Sequence, residues 1–143
     1  MPYLQITAAQ DTLDKAGQDA LVSRVSNAIL KAERANIDDA AAQSLVWAHF
    51  VALPQSAVYV GGEAIGEPPV RIAVTTPEGA LNAGTREVLV SEIGDIVNDI
   101  VGPFEKRLNH WTMLYEIADG NWGAGQVLRL PDIQAAMNIK QTA

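Results

Sequence analysis

"PVRIAVT" (residues 69–75) decides the reading of this chain, because there a pattern already met once begins again. The first copy opens with "PYLQITA" (2–8), where Tyr3, Leu4, Gln5 and Ile6 alternate as in a half-buried strand. Turn-rich "AQDTLD" follows, with Asp11 or Asp14 available to cap a helix. From Lys15 to about Ala35, the residues Leu21, Val25, Ala28, Ile29 and Ala32 recur at spacings of three and four, one face of an amphipathic helix. "QSLVWAHFVAL" (43–53) is β-branched and aromatic, hence a strand, and "AVYVGGE" (57–63) is a short strand closed by a Gly-Gly turn. After residue 75 the order returns. A helix is predicted over Asn82 to Val101 on Leu89, Ile93, Ile96, Val97 and Ile100, then a strand in "HWTMLYEIAD" (110–119) and a glycine-punctuated hairpin in "NWGAGQVLRL" (121–130). Pro69 lies 67 residues after Pro2, the helices align at the same offset, and the second long strand begins 66 residues after Ser44. Few letters are shared; the repeat is one of pattern.

A strand–helix–strand unit needs a long crossover, so its two strands run parallel. Two such units pair into an α+β domain: one four-stranded mixed sheet with both helices on one face. The expected organisation is a single domain over 1–143, with a pseudo-repeat over 2–68 and 69–130 and a C-terminal tail, 131–143. "LVWAHFVAL" is apolar at nearly every position, so the helix-free sheet face needs a cover as well. "DIQAAMNIKQTA" (132–143) is too short to provide it, and a symmetric oligomer is the expected solution.

Composition bounds the function. A chain of 143 residues that is 48% hydrophobic and 19% charged can bury a real core. The net charge of −7, with no stripe of Lys or Arg, argues against nucleic acid. There is no apolar run long enough to suggest a membrane span and no signal-peptide pattern, and the absence of cysteine suits the cytoplasm. His49 and His110 lack ligand-spaced acidic companions, so no metal site is expected, and "VGGEAIG" has no helix behind it to make a phosphate loop.

Met-Pro followed by β-α-β and a doubled copy resembles the double-length members of the tautomerase superfamily, over about residues 2–130. "VGGEAIGE" (60–67) is similar to the hairpin after the second strand of 4-oxalocrotonate tautomerase, and "PEGA" (77–80) to that family's turn. "HWTMLYE" (110–116) resembles the final strand of cis-3-chloroacrylic acid dehalogenase, malonate semialdehyde decarboxylase and the macrophage migration inhibitory factor group. "DGNWGAG" (119–125) resembles the Trp-containing hairpin of the decarboxylase branch. The resemblance implies a trimer whose sheets form a central barrel, no cofactor, and Pro2 as the catalytic residue. Methionine aminopeptidase removes Met1 before a small residue such as proline, leaving a secondary amine. Burial disfavours its ammonium form and leaves a base usable near neutral pH. Pro69, an amide nitrogen, has no such lone pair, so one site per subunit is expected.

The family's carboxylate-gripping arginines are missing. Their positions fall at Thr12, Ala80, near Trp47 and within "TTPEGA" (75–80), none of them cationic. A dicarboxylate tautomerase, a dehalogenase and a decarboxylase of the familiar type are therefore put in question, and an aromatic or weakly charged carbonyl substrate is favoured by elimination. Three residues are candidates for binding it. His49, on one strand face with Trp47, could polarise a carbonyl, against a core or interface role. Tyr115 could donate its hydroxyl. Trp47, like Trp122, reads first as packing, but the family's sites are lined by aromatics. Arg71 suits an ion pair with a neighbouring subunit, Asp38 and Asp39 a turn, and Lys31, Arg34 and Arg86 solvated helix faces. The expected function is keto–enol tautomerisation of a small carbonyl or enol compound by a homotrimer with Pro2 as general base. The alternatives are a catalytically vestigial trimeric scaffold, or a hydratase, dehalogenase or decarboxylase with non-standard partners, for which Glu116 is the candidate acid.

Overall fold

A computed structural model describes residues 1–105 and 108–140; the last three residues of the tail lie outside the described residues. Strand β1 (Tyr3–Ala9) leads into helix α1 (Lys15–Ala32), then a short helix α2 (Ala40–Ser44), strand β2 (Trp47–Leu53) and a hairpin of β3 (Tyr59–Val60) and β4 (Glu63–Ala64). The second half runs β5 (Arg71–Pro77), α3 (Ala83–Ile100), β6 (Trp111–Ile117), a hairpin of β7 (Trp122–Gly123) and β8 (Val127–Leu128), and α4 (Leu130–Ala136). The main sheet has the order β2-β1-β5-β6; β1 pairs parallel with β2, antiparallel with β5, and β5 pairs parallel with β6.

The two long helices form where the apolar stripes lie. Asp14 caps α1 by accepting from the Gly17 N–H, and Asn82 caps α3 in a reciprocal box with Thr85. Their buried faces, Leu21, Val25, Ala28 and Ile29 on α1 and Leu89, Ile93, Ile96 and Val97 on α3, close on Leu4, Ile6, Ile72 and Val74 of the central strands. Strand side chains alternate, so Tyr3, Trp47, Thr75 and Tyr115 point the other way. The register sets these four in one row across the whole sheet. That helix-free face is open: Trp47 is 69% exposed, Trp111 57% and Tyr115 41%.

The halves superpose in sequence at offsets the patterns alone misjudged. β1 and β5, and α1 and α3, are 68 residues apart at their starts, and β2 and β6 are 64 apart. The counterpart of Pro2 is therefore Val70, not Pro69, and that of Trp47 is Trp111 rather than Met113. Two segments also differ from expectation. Gln43 and Ser44 belong to α2, because Asp39 caps the alanine-rich "AAAQS" by accepting from the Ala41 N–H, so β2 begins only at Trp47. The tail leaves the open sheet face uncovered, as its length predicts, but it forms α4 and packs at the edge of the molecule. There Ile133 and Met137 join Leu30, Ala35 and Ala42 in a second apolar cluster, with Met1, Leu45 and Trp122 against it. Among the described residues no helix is long and apolar enough to cross a membrane.

Candidate functional site

Pro2 sits one residue before β1, where a missing N–H costs the ladder nothing. It is buried, and its carbonyl accepts from the Trp47 N–H at 3.3 Å, which ties the terminus to the start of β2. Beside it opens a cavity of about 540 Å³ walled by Pro2, Tyr3, Trp47, Thr75, Ile117 and Trp122, with Asn121 contributing an amide. Strands β1, β2 and β5 supply one side through the Tyr3–Trp47–Thr75 row, and the turn before β7 supplies the other. No Lys, Arg or His is among the described lining residues.

The amino terminus itself lies in the second apolar cluster. Its nitrogen, carried by Met1, donates to Glu33 Oε2 at 3.2 Å and lies against Met137 Sδ. Burial holds this amine below the ordinary range of an amino terminus, and the adjacent carboxylate pulls the other way by attraction and hydrogen bonding. Glu33 is only 3% exposed, and burial pushes its carboxyl above the usual carboxylate range against the pull of the amine. Its second oxygen, Oε1, is buried without a hydrogen-bond partner among the described residues. The end of α1 creates this placement. Arg34 takes a left-handed φ of 65°, and the Arg34 and Ala35 N–H groups return to the carbonyls of Lys31 and Leu30. This closing turn stops the helix at Ala32 and leaves Glu33 as its cap, facing inward. Glu33 went unrecognised in the sequence, although a signal existed: the stripe Leu21, Val25, Ile29 continues by four to Glu33.

Of the sequence candidates, the structure brings Pro2 and Trp47 together. His49 stands one step behind: its Nδ1 shares a hydrogen bond of 3.0 Å with Tyr3 Oη, the rings meeting edge to face at 5.3 Å. Tyr115 is not among the described lining residues; its hydroxyl accepts from Arg71 Nη2 at 2.9 Å on the open sheet face. Trp122, expected as packing, both packs on the second cluster and walls the cavity. Glu116 faces the helix layer and pairs with Arg86, away from Pro2. Asp39 is occupied as the α2 cap and by Asn138, and the Asp38 N–H closes a turn on Asn36. A larger cavity, about 830 Å³, lies beyond the other end of β1, beside Ala9 and His110, and holds none of the candidates. Both ring nitrogens of His110 are engaged there, Nδ1 by the Val70 N–H at 2.9 Å and Nε2 by the Gly102 carbonyl at 2.7 Å.

No family profile matches the chain, and no curated protein is similar to it by sequence. Solved structures are. Pt0534, a protein inactivated by 2-oxo-3-pentynoate, is similar with a TM-score of 0.74 at 18% identity, over 92% of this chain and 98% of that one. The wild-type Q0 fused 4-OT, a symmetric trimer, gives 0.72 at 18% identity over the same 92% and 98%. The macrophage migration inhibitory factor of Toxoplasma gondii gives 0.66 at 16% identity, over 88% of this chain and 99% of that one. The fold that these similarities define is that of the tautomerase superfamily, in its double-length form.

Proposed function

We propose that this protein is a keto–enol tautomerase whose amino-terminal Pro2, freed by removal of Met1, is the general base. The observation that carries the reading is the buried Pro2 in the wall of an aromatic cavity, one residue from an amino terminus that is itself drawn into the fold. The neutral secondary amine takes a proton from the carbon beside a substrate carbonyl. The C–H electron pair moves into a new C=C bond and the carbonyl π pair onto oxygen. The prolinium then returns the proton at the far end of the conjugated system. The Asn121 amide and the Thr75 hydroxyl are the wall donors suited to the developing oxyanion. Trp47 and Trp122 provide flat apolar contact for a conjugated substrate, and His49 orients Tyr3. The working unit is a homotrimer that covers the open sheet face and sets Arg71 and Tyr115 towards its lumen, in a cytoplasmic setting.

A second reading, a trimeric scaffold with vestigial activity, is favoured by the absence of any Lys, Arg or His side chain among the described wall residues. Ketonisation of phenylenolpyruvate and of 2-hydroxymuconate by the wild type and by Pro2→Ala separates the two. The base reading expects a loss of about 10²- to 10⁴-fold in the variant. Equal, negligible rates in both proteins, with these acids and with an uncharged aryl enol alike, would leave the scaffold.

A further inference from the structure

We infer that Glu33 is the buried counter-charge of the amino terminus and makes the Pro2 cavity select uncharged carbonyl compounds over carboxylates; this rests on the reading of Pro2 as the base. Glu33 Oε2 lies 3.2 Å from the terminal nitrogen, and Oε1 is buried and unpartnered. No other charged group of the described residues hydrogen-bonds that carboxylate. Removal of Met1 moves the amine three covalent bonds along the chain, to Pro2, and vacates the space that Met1 fills between Glu33 and the cavity. Oε1 is the acceptor left without a donor, and the two N–H bonds of a prolinium are the donors that the carboxylate lacks.

The consequence for substrate is electrostatic. A carboxylate entering this cavity gives up its water, meets no Lys or Arg side chain on the described wall, and competes with the Glu33 carboxylate for the one terminal amine in a poorly screened site. A ketone or aldehyde suffers none of these costs and keeps the apolar contact with Trp47 and Trp122. Sites built for acids place a planar cation where the carboxylate lands; here the charge next to the reacting atom has the opposite sign. Glu33 is thus a specificity-determining and positioning residue, one step removed from the substrate.

A matched pair of electrophiles tests this. 2-Oxo-3-pentynoate and 3-pentyn-2-one share the same conjugated alkyne and differ by a carboxylate in place of a methyl group. Addition of the Pro2 nitrogen forms an N–C bond at the β-carbon, and the displaced π pair takes up the amine's proton at the α-carbon. The mass of the chain rises by the whole probe. Labelling rates at Pro2 are followed by intact mass and peptide mapping for wild type and Glu33→Gln, each divided by the rate with free prolinamide. The wild type is expected to favour the neutral probe by roughly tenfold or more after this correction, and Glu33→Gln to lose most of that preference. A corrected ratio near one in the wild type, or an undiminished preference in folded Glu33→Gln, overturns the inference while leaving Pro2 as the base. Should Glu33→Gln fail to fold by circular dichroism, the wild-type ratio alone decides. A processed Pro2 that reacts with neither probe removes the base reading, and this inference with it.

Discussion

Glu33 and the terminal amine each lose water on folding, and each is displaced towards its neutral form by that loss. Their pH signatures have opposite signs. A carboxyl raised above 4.5 contributes stability that is complete below that value and is lost as the pH climbs through the raised one. An amine lowered below 8.0 contributes stability that is complete above that value and is lost as the pH falls through the lowered one. When both groups are ionised, both charges are buried and only their mutual attraction offsets the cost. Thermal melts of wild type and Glu33→Gln therefore diverge with pH: the Tm difference moves in favour of the variant as the pH rises from the ordinary carboxylate range towards neutrality. A difference that is flat, or moves the other way, contradicts the burial assigned to Glu33. On the proposed reading, where the freed Pro2 amine takes the place of Met1 beside Glu33, deleting the carboxylate removes that upward pull and shifts the acidic limb of kcat/KM to lower pH. That a proline follows the terminal Met was legible in the sequence, and its role there is the proposal above. Its partner was not, because a charged residue that continues an apolar stripe is indistinguishable in one dimension from a helix end reaching solvent.

The elements read correctly are those with strong periodicity. α1 and α3 were legible through spacings of three and four, β1 and β5 through alternation, and the β3–β4 hairpin through Gly61 and Gly62. These two glycines take φ of 63° and 83° in a two-residue turn, a geometry that side chains disfavour. The elements misread are those whose shape is set by a contact elsewhere. α2 is five residues long, too short to show a period, and depends on the Asp39 cap. α4 is held by Ile133 and Met137 against the end of α1, and only folding brings these partners together. The caps and this contact differ in size. Asp14→Ala and Asn82→Ala each cost about 1 kcal/mol in denaturant melts. Met137→Ala, which empties a fully buried position against the terminus, costs about 2–5 kcal/mol. It also speeds hydrogen exchange at the start of β1, over Tyr3–Gln5, more than in α3. If Met137→Ala were no costlier than a cap, α4 would not be the clamp on the terminus described above.

At the scale of the whole molecule, the doubled fold gives the proposed base no second copy: the pseudo-symmetry sets Val70 where Pro2 stands. The same doubling leaves two tryptophans at equivalent strand starts, Trp47 and Trp111, both largely uncovered on the open face. That exposure is the physical case for a covering partner, which the proposed trimer supplies. Met113→Asp, which places a charge at the centre of β6 on that face, is expected to shift sedimentation from trimer towards monomer with the far-ultraviolet circular dichroism unchanged. A wild type that sediments as a monomer at working concentrations contradicts the trimer outright.

The central claim is that a buried, unprotonated proline nitrogen does the chemistry, and a direct titration tests it. In protein labelled with ¹⁵N-proline, with Met1 shown absent by intact mass, the Pro2 nitrogen is followed by NMR across the pH range. Its midpoint is expected well below that of free prolinamide and to fall further in Glu33→Gln. A midpoint at or above that of prolinamide would leave the amine charged where it must be a base, and the account would fail.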